Sequence, residues 1–530
     1  MRILLALGLL VASVSLSAQV QNYVDFHDND QKRSEGVYDG GVEHGLWTYW
    51  YPNGQVQEKA HYYRGKLHGP VLRFYSNGQQ MHEGYFVLNR QDSLMRTWNQ
   101  DGVLLEEGTY CYGSKCGTWS TFDDAGILRM KEEFRDSVTY LWELVESGGN
   151  VAITGGEGIE TTRFDDGDIR EQTTYADGLP NGTHKVYYSN GELRIDGNYK
   201  DGLRHGTWKE FYRYGAIEKE AVYVDGVLDG VYIQYFRGGQ IMVQGTHAAG
   251  KKQGDWAWFQ EDGTPDMEGP FDQGEQHGSW TYHFPRGTVS MQGNFERGLE
   301  EGTWEFFYPE GQNWKTGIYA KGKKNGRWDF WYENGNDLMA GTFVDDLEEG
   351  EWQSWFEKGS QKDIGNFKAG KMHGKWEGWY PNGVVQFRGE WKDDDRTGDW
   401  EFYFENGQLD EKGAYDENGK KTGKWISANP SGITEMEGTY TAGQPDGKWS
   451  YFYPNGSPQS DQVYKDGLLD GKFVTYNRRG KVVQEAEYKA GGKHGTYKRW
   501  NEQTGELEQH FVYEKGAVKE VIVMKQTSRK

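Results

Sequence analysis

The sequence has almost no sulfur chemistry, little proline and, past its first residues, no long apolar run. Of 530 residues, 2 are Cys and 12 are Pro, and only 35% are hydrophobic. So few cysteines exclude a disulfide-stapled scaffold and a multi-cysteine metal centre. Gly is abundant at 75, but no three-residue period accompanies it, which excludes a collagen-like chain. Glycine also recurs too closely to leave room for a helical run. Positive charge is short as well. Against 81 Asp+Glu stand 59 Lys+Arg, for a formal charge of -22. Such a surface repels phosphate backbones and anionic headgroups, so nucleic acid and membrane surfaces are poor partners.

The single apolar run is N-terminal. Met1-Arg2 leads into Ile3 to Val14 and then Ser15-Leu16-Ser17-Ala18-Gln19. A short basic start, an apolar stretch and small residues make the layout of a secretory signal peptide over residues 1–18. The run is too short for a membrane span of about 20 residues. The expectation is an exported protein, periplasmic, on the outer surface or secreted, without membrane insertion, in which residues 19–34 are disordered.

Aromatic residues are what the chain has in excess, at 15%. They are organised by one phrase, clearest as Gly326-Arg327-Trp328-Asp329-Phe330-Trp331-Tyr332-Glu333-Asn334-Gly335. With its first Gly as position zero, openings fall at Gly45, Gly69, a degenerate Ser93 and Gly117, and resume from Gly158 to Gly495. The step is 24 residues almost throughout, 25 from Gly398 to Gly423, and 41 from Gly117 to Gly158. A period of that length signals a repeat architecture. Position two is most often Trp, position nine a Gly frequently within Asn-Gly, position fifteen a Gly and position seventeen an aromatic.

Trp328, Phe330 and Tyr332 alternate with their neighbours at the period of a strand. Asn-Gly supplies the positive φ that hairpin turns need. Where Pro precedes this turn, as at Pro52, Pro381 and Pro454 before Asn-Gly and Pro309 before Glu-Gly, a three-residue loop with a type I turn fits better than a two-residue loop. The register between the two stays open. The expected fold is all-β: an elongated single-layer antiparallel β-meander built of about twenty 24-residue β-hairpin repeats. The position-two ring is expected to cover the bare glycine at position fifteen, Trp328 over or next to Gly341 and Trp304 over Gly317. A lone hairpin cannot bury its rings, so neighbouring repeats must supply the rest of the core. The arrays are placed at residues 35–137 and 158–516, with a degenerate repeat or hinge at 138–157 and a capping strand and tail at 517–530.

The pattern Gly365-Asn366-Phe367-Lys368-Ala369-Gly370-Lys371-Met372-His373-Gly374-Lys375-Trp376 resembles the MORN repeat. Its continuation Trp379-Tyr380-Pro381-Asn382-Gly383 is similar to a bacterial variant of that repeat whose members often carry an antitoxin label. The resemblance covers roughly residues 35 to 516 and lapses around Ser93 and between Arg129 and Gly158. It implies an antiparallel β-meander with a scaffold or binding role and brings no catalytic residues with it.

Candidate chemistry is sparse. Cys111 and Cys116 sit in one CxxxxC stretch, where a disulfide across a turn and two free thiols are both open. The spacing is not the CxxC of redox or zinc sites. His44, His68, His205, His277, His373 and His494 each precede an opening Gly, but equivalent positions lie about 10 Å apart, too far to share one metal. Asp393-Asp394-Asp395 and Asp416-Glu417-Asn418-Gly419 lack the twelve-residue calcium loop and read as acidic turns. Gly155-Gly156-Glu157-Gly158 lacks the Gly-Lys-Ser/Thr ending of a phosphate loop. The expectation is a protein that is not an enzyme, with no cofactor and no metal. It presents a β-ribbon to another protein. The alternative is glycan binding through a row of Trp256, Trp280, Trp304, Trp328, Trp352, Trp376 and Trp400; antitoxin-like neutralisation follows from the family label alone. N-terminal sequencing of the protein recovered outside the cytoplasm is expected to begin at Ala18 or Gln19, and a retained Met1 would remove the export reading.

Overall fold

In a computed structural model, residues 20–525 are described, so the signal-peptide segment and the last five residues lie outside them. The described chain has no helix and carries 45 strands. It divides into two units, residues 1–251 and 252–530. Within each unit, successive strands pair antiparallel with their sequence neighbours to give a single-layer meander.

The two turns of each repeat differ. After the first strand, Tyr51-Pro52-Asn53-Gly54 closes by Gly54 N donating to Tyr51 O at 2.9 Å, while Tyr51 N donates to Gln55 O at 2.8 Å. This is the three-residue loop with a left-handed glycine, and copies without Pro such as Tyr75-Ser76-Asn77-Gly78 close alike, which settles the register. After the second strand the loop has two residues, as at Asp201 (φ 50°) and Gly202 (φ 81°) between paired Lys200 and Leu203. Both have positive φ, the geometry that matches strand twist in a tight hairpin. The 25-residue step at Gly423 enlarges this second turn, where Asp416 to Lys420 intervene between paired Tyr415 and Lys421.

The opening Gly has a specific task. Trp328 pairs with Gly317, yet Asn325 pairs with Ile318, so Gly326 and Arg327 are two extra residues forming a bulge. Gly326 takes φ 64°, and Ser93 at the equivalent place takes 62°. A left-handed residue inside a strand favours glycine, which explains the opening letter of the phrase.

The core follows from that bulge. Trp328 pairs with Gly341 and Trp304 with Gly317, as expected. The rings, however, cover the glycine of the preceding repeat: a β-carbon on Gly317 would sit inside the Trp328 indole, and one on Gly293 inside that of Trp304. The expected cover within one repeat is therefore corrected to a cover between repeats. Each indole N–H reaches the same way, Trp328 Nε1 donating to Ile318 O at 3.2 Å and Trp304 Nε1 to Asn294 O at 3.1 Å. Where position two is smaller than Trp, the residue beneath it is usually larger than Gly. Val71 pairs with Ala60, His184 with Thr173, Tyr232 with Ala221 and Tyr497 with Ala486. A smaller side chain at position two is thus partly offset by a larger residue beneath it, in keeping with close packing.

One segment departs from expectation. Residues 19–34, read as disordered, instead carry a strand at Gln21–Phe26 paired with Lys32–Asp39. Gly36 is a position-fifteen glycine covered by Trp47, and Tyr23 packs on both Tyr38 and Trp47. The array therefore begins one degenerate repeat earlier. Residues 138–157 form ladder-paired strands, Val138–Val145 and the short Val151–Thr154, followed by a two-residue loop at Gly155-Gly156. The shortened repeat keeps strand pairing through the segment. Ala517–Met524 is the closing strand, paired with Leu507–Glu514.

Gly317→Ala is expected to cost about 2 kcal/mol or more by forcing the Trp328 ring aside. Gly148→Ala, with open space around it and no left-handed φ, should stay within about 0.5 kcal/mol. Urea unfolding of both variants checks the contrast.

Candidate functional site

Alternation along each strand creates two faces, and they differ. Positions two, four, fifteen and seventeen share the core face. There Trp256, Phe271, Trp280, Phe295, Trp304, Tyr319, Trp328, Phe343, Trp352, Phe367 and Trp376 form an unbroken chain of edge-to-face rings in the second unit. Centroid separations run from 5.0 Å for Phe343–Trp352 to 6.1 Å for Trp304–Tyr319. Edge-to-face contact at this range is the favoured aromatic geometry.

This places the candidate aromatic row. Trp256, Trp280, Trp304, Trp328, Trp352 and Trp400 are buried, with Trp328 at 0% exposure and Trp352 at 6%. Rings so enclosed offer no face to a sugar, so glycan stacking at position two loses its basis. Trp376 is half-buried. Position four of its repeat is Gly378 rather than a ring, and Phe387 fills the space over that glycine.

The remaining candidates are structural. Cys111 and Cys116 are joined by a disulfide across the turn between Leu104–Cys111 and Ser114–Phe122, with Cα atoms 5.8 Å apart. The six histidines occupy equivalent strand positions and are not brought together. His205 Nδ1 lies 3.6 Å from Asp225 and His373 Nδ1 lies 3.8 Å from Asp393, each beside a turn. Among the described residues no group of three or more His, Cys, Asp or Glu is placed to hold a metal ion. Asp394 accepts from Met372 N at 2.8 Å, and Asp416 accepts from Asn418 N and Lys420 N, so these carboxylates brace turns.

Tyr and Asn of the Asn-Gly turn do more than shape it. Tyr332 Oη donates to Trp355 O at 3.0 Å and Tyr380 Oη to Tyr403 O at 2.9 Å, each reaching the next repeat 23 residues on. Asn382 Nδ2 likewise donates to Glu405 O at 2.9 Å while its Oδ1 accepts from Val384 N. The recurrence of Tyr-Pro-Asn-Gly carried this signal, but only pairing reveals a carbonyl of the next turn beside each donor.

The other face is polar and carries a second aromatic row at position five, which sequence reasoning passed over. In consecutive repeats it is Phe307, Trp331, Trp355, Trp379 and Tyr403, all half-buried. Tyr403 Oη donates to Glu401 at 2.6 Å and Tyr476 Oη to Asp461 at 3.2 Å, which fixes these rings beside positions three and fourteen. The aromatic pair at positions four and five was the available signal. Alternation sends its first ring into the core and its second to the outer face. Burial and the neighbouring Glu401 carboxylate push the Tyr403 phenol above its ordinary pKa, so that ring stays a neutral donor at physiological pH.

A groove of about 750 Å³ lies in the second unit, and among its lining residues is Glu401, the partner of Tyr403. Gly365, Gly389 and Gly413 lie along it, with charged side chains of both signs among its lining. Arg388 Nε donates to Glu377 at 2.7 Å, and that bond raises the guanidinium's pKa.

Residues 43–62, 180–201, 372–393, 396–417, 445–466 and 469–490 match the model of the MORN repeat variant. No curated protein matches the chain in sequence. Solved structures similar to it include TcdB2-TccC3-Cdc42, at 9% identity and a TM-score of 0.12, matched over 93% of this chain and 31% of that one. The Photorhabdus luminescens Tc holotoxin pore with TccC3-D651A is matched at 9% identity and a TM-score of 0.13, over 92% and 31%. The chain thus spans about a third of the length of those chains.

Replacing Tyr332 by Phe removes one donor to the next turn and leaves the Trp355 carbonyl without it. The expected loss is about 1 kcal/mol of stability in urea unfolding with the fold retained in circular dichroism.

Proposed function

This chain is a MORN repeat protein, and from that premise we propose that it is an exported, non-enzymatic scaffold whose polar face binds another protein. The observation that carries the reading is the division of labour between the two ring rows. Position two is consumed by the core, its ring on a glycine and its N–H on a carbonyl. Position five repeats at the same interval on the outer face, half-exposed and flanked by charged side chains. A periodic, partly apolar surface rimmed by charge suits protein recognition. Export follows from the N-terminal segment and the acidic charge from composition, and both fit a partner in the cell envelope or outside the cell.

Photo-crosslinking from position 355 or 379 in intact cells tests this. The expected outcome is one protein crosslinked from both positions and lost when crosslinking starts from the buried position 328. Equal, diffuse crosslinking from all three positions would overturn the reading.

A further inference from the structure

Three consecutive repeats place Trp331, Trp355 and Trp379 at position five. None of their indole N–H groups makes a hydrogen bond within the described residues, in contrast to the position-two indoles, and none is buried without a partner. They are donors open to solvent, one per repeat. At position one on the same face, Arg327, Glu351, Lys375, Asp399 and Lys424 alternate in sign and are all exposed. Glu351, Lys375, Asp399 and Lys424 line the groove. Arg327 and Lys424 are engaged by Asp329 and Glu437.

The interval between repeats selects among linear ligands. Two strands at about 4.8 Å each advance a repeat by about 9.6 Å. A polyproline II helix rises about 3.1 Å per residue with three residues per turn, or about 9.3 Å per turn. Every third side chain of such a peptide therefore returns to the same side at nearly the repeat interval. Its backbone has no internal hydrogen bonds, so its carbonyls are free acceptors, and aromatic-lined surfaces are known receivers of this helix.

Resting on the protein-binding reading, we infer that the ladder of Trp331, Trp355 and Trp379, with the position-one charges of the same face, binds a polyproline II segment of the partner, one turn per repeat. The rings take the prolines, the indole N–H groups donate to peptide carbonyls, and Glu351, Lys375 and Asp399 read charges placed on every third residue. The complementary peptide alternates Lys and Glu at those places. A sheet-edge strand would present its carbonyls at the wrong interval for these donors. A flexible chain would lose far more conformational freedom on binding than a helix already formed.

The probe is the labelled peptide acetyl-(Pro-Pro-Glu-Pro-Pro-Lys) repeated three times, titrated against the full chain by fluorescence anisotropy, beside a version with glycine for every proline. The proline peptide is expected to bind at least about tenfold more tightly than the glycine peptide. Joint replacement Trp331→Ala, Trp355→Ala and Trp379→Ala should remove that binding while circular dichroism retains the sheet. Should that variant not fold, the exposed change Lys375→Glu serves instead, shifting preference to a peptide of Pro-Pro-Lys repeats. Equal binding of the proline and glycine peptides, no binding by either, or indifference to Lys375→Glu overturns the inference. So does a chito-oligosaccharide that binds at these three rings when the peptide does not. A failure here alongside a specific protein crosslinked from 355 and 379 removes the polyproline ligand and leaves the scaffold reading standing.

Discussion

The structure depends on one contact repeated along the chain, an indole laid over a bare glycine of the strand before it with its N–H on the adjacent carbonyl. A single-layer sheet has no second layer to bury its rings, so the backbone must serve as the opposing surface. Glycine provides that surface because a β-carbon would occupy the ring's place. The bulge at the opening Gly then carries the Trp back toward the earlier repeat. Opening glycine, tryptophan and position-fifteen glycine are one device, and the other sequence features attach to it.

That device also binds the repeats to one another. The ring covers the preceding repeat, whereas the turn tyrosine and asparagine reach the following one. Each hairpin is thus held from both sides by groups it does not itself own, and this is why a repeat stabilises only in company. The same economy leaves the opposite face free for alternating charge and half-exposed rings.

Much of this was legible from residue spacing. Strand alternation, the first turn and the glycine–tryptophan association could be read from Gly326 to Gly341 alone. The direction of the cover was not legible, because a two-residue bulge is invisible in the letters and reverses which neighbour the ring meets. The N-terminal strand at Gln21–Phe26 escaped notice because Tyr23 stands where Trp is usual and Asp30 where Gly is usual, although Asp30 still adopts φ 62°. The position-five row stands beside the core row as Phe330-Trp331, and two adjacent rings do not show in the letters which of them faces out. The histidine–aspartate approaches at the turns join residues 20 apart and the reach of Tyr332 joins residues 23 apart, which a linear reading has no reason to connect.

The enlarged turn between Tyr415 and Lys421 has an evolutionary corollary. An extra residue there leaves Trp425 on Gly413 and the ladder in phase. An extra residue between an opening Gly and its Trp would instead turn a ring to the wrong face. Length can therefore drift at the outer loops one residue at a time, while change within the sheet must come as whole hairpins. Such a gene would vary by duplication and loss of complete 24-residue segments, each arriving with its own outer-face ring already in step.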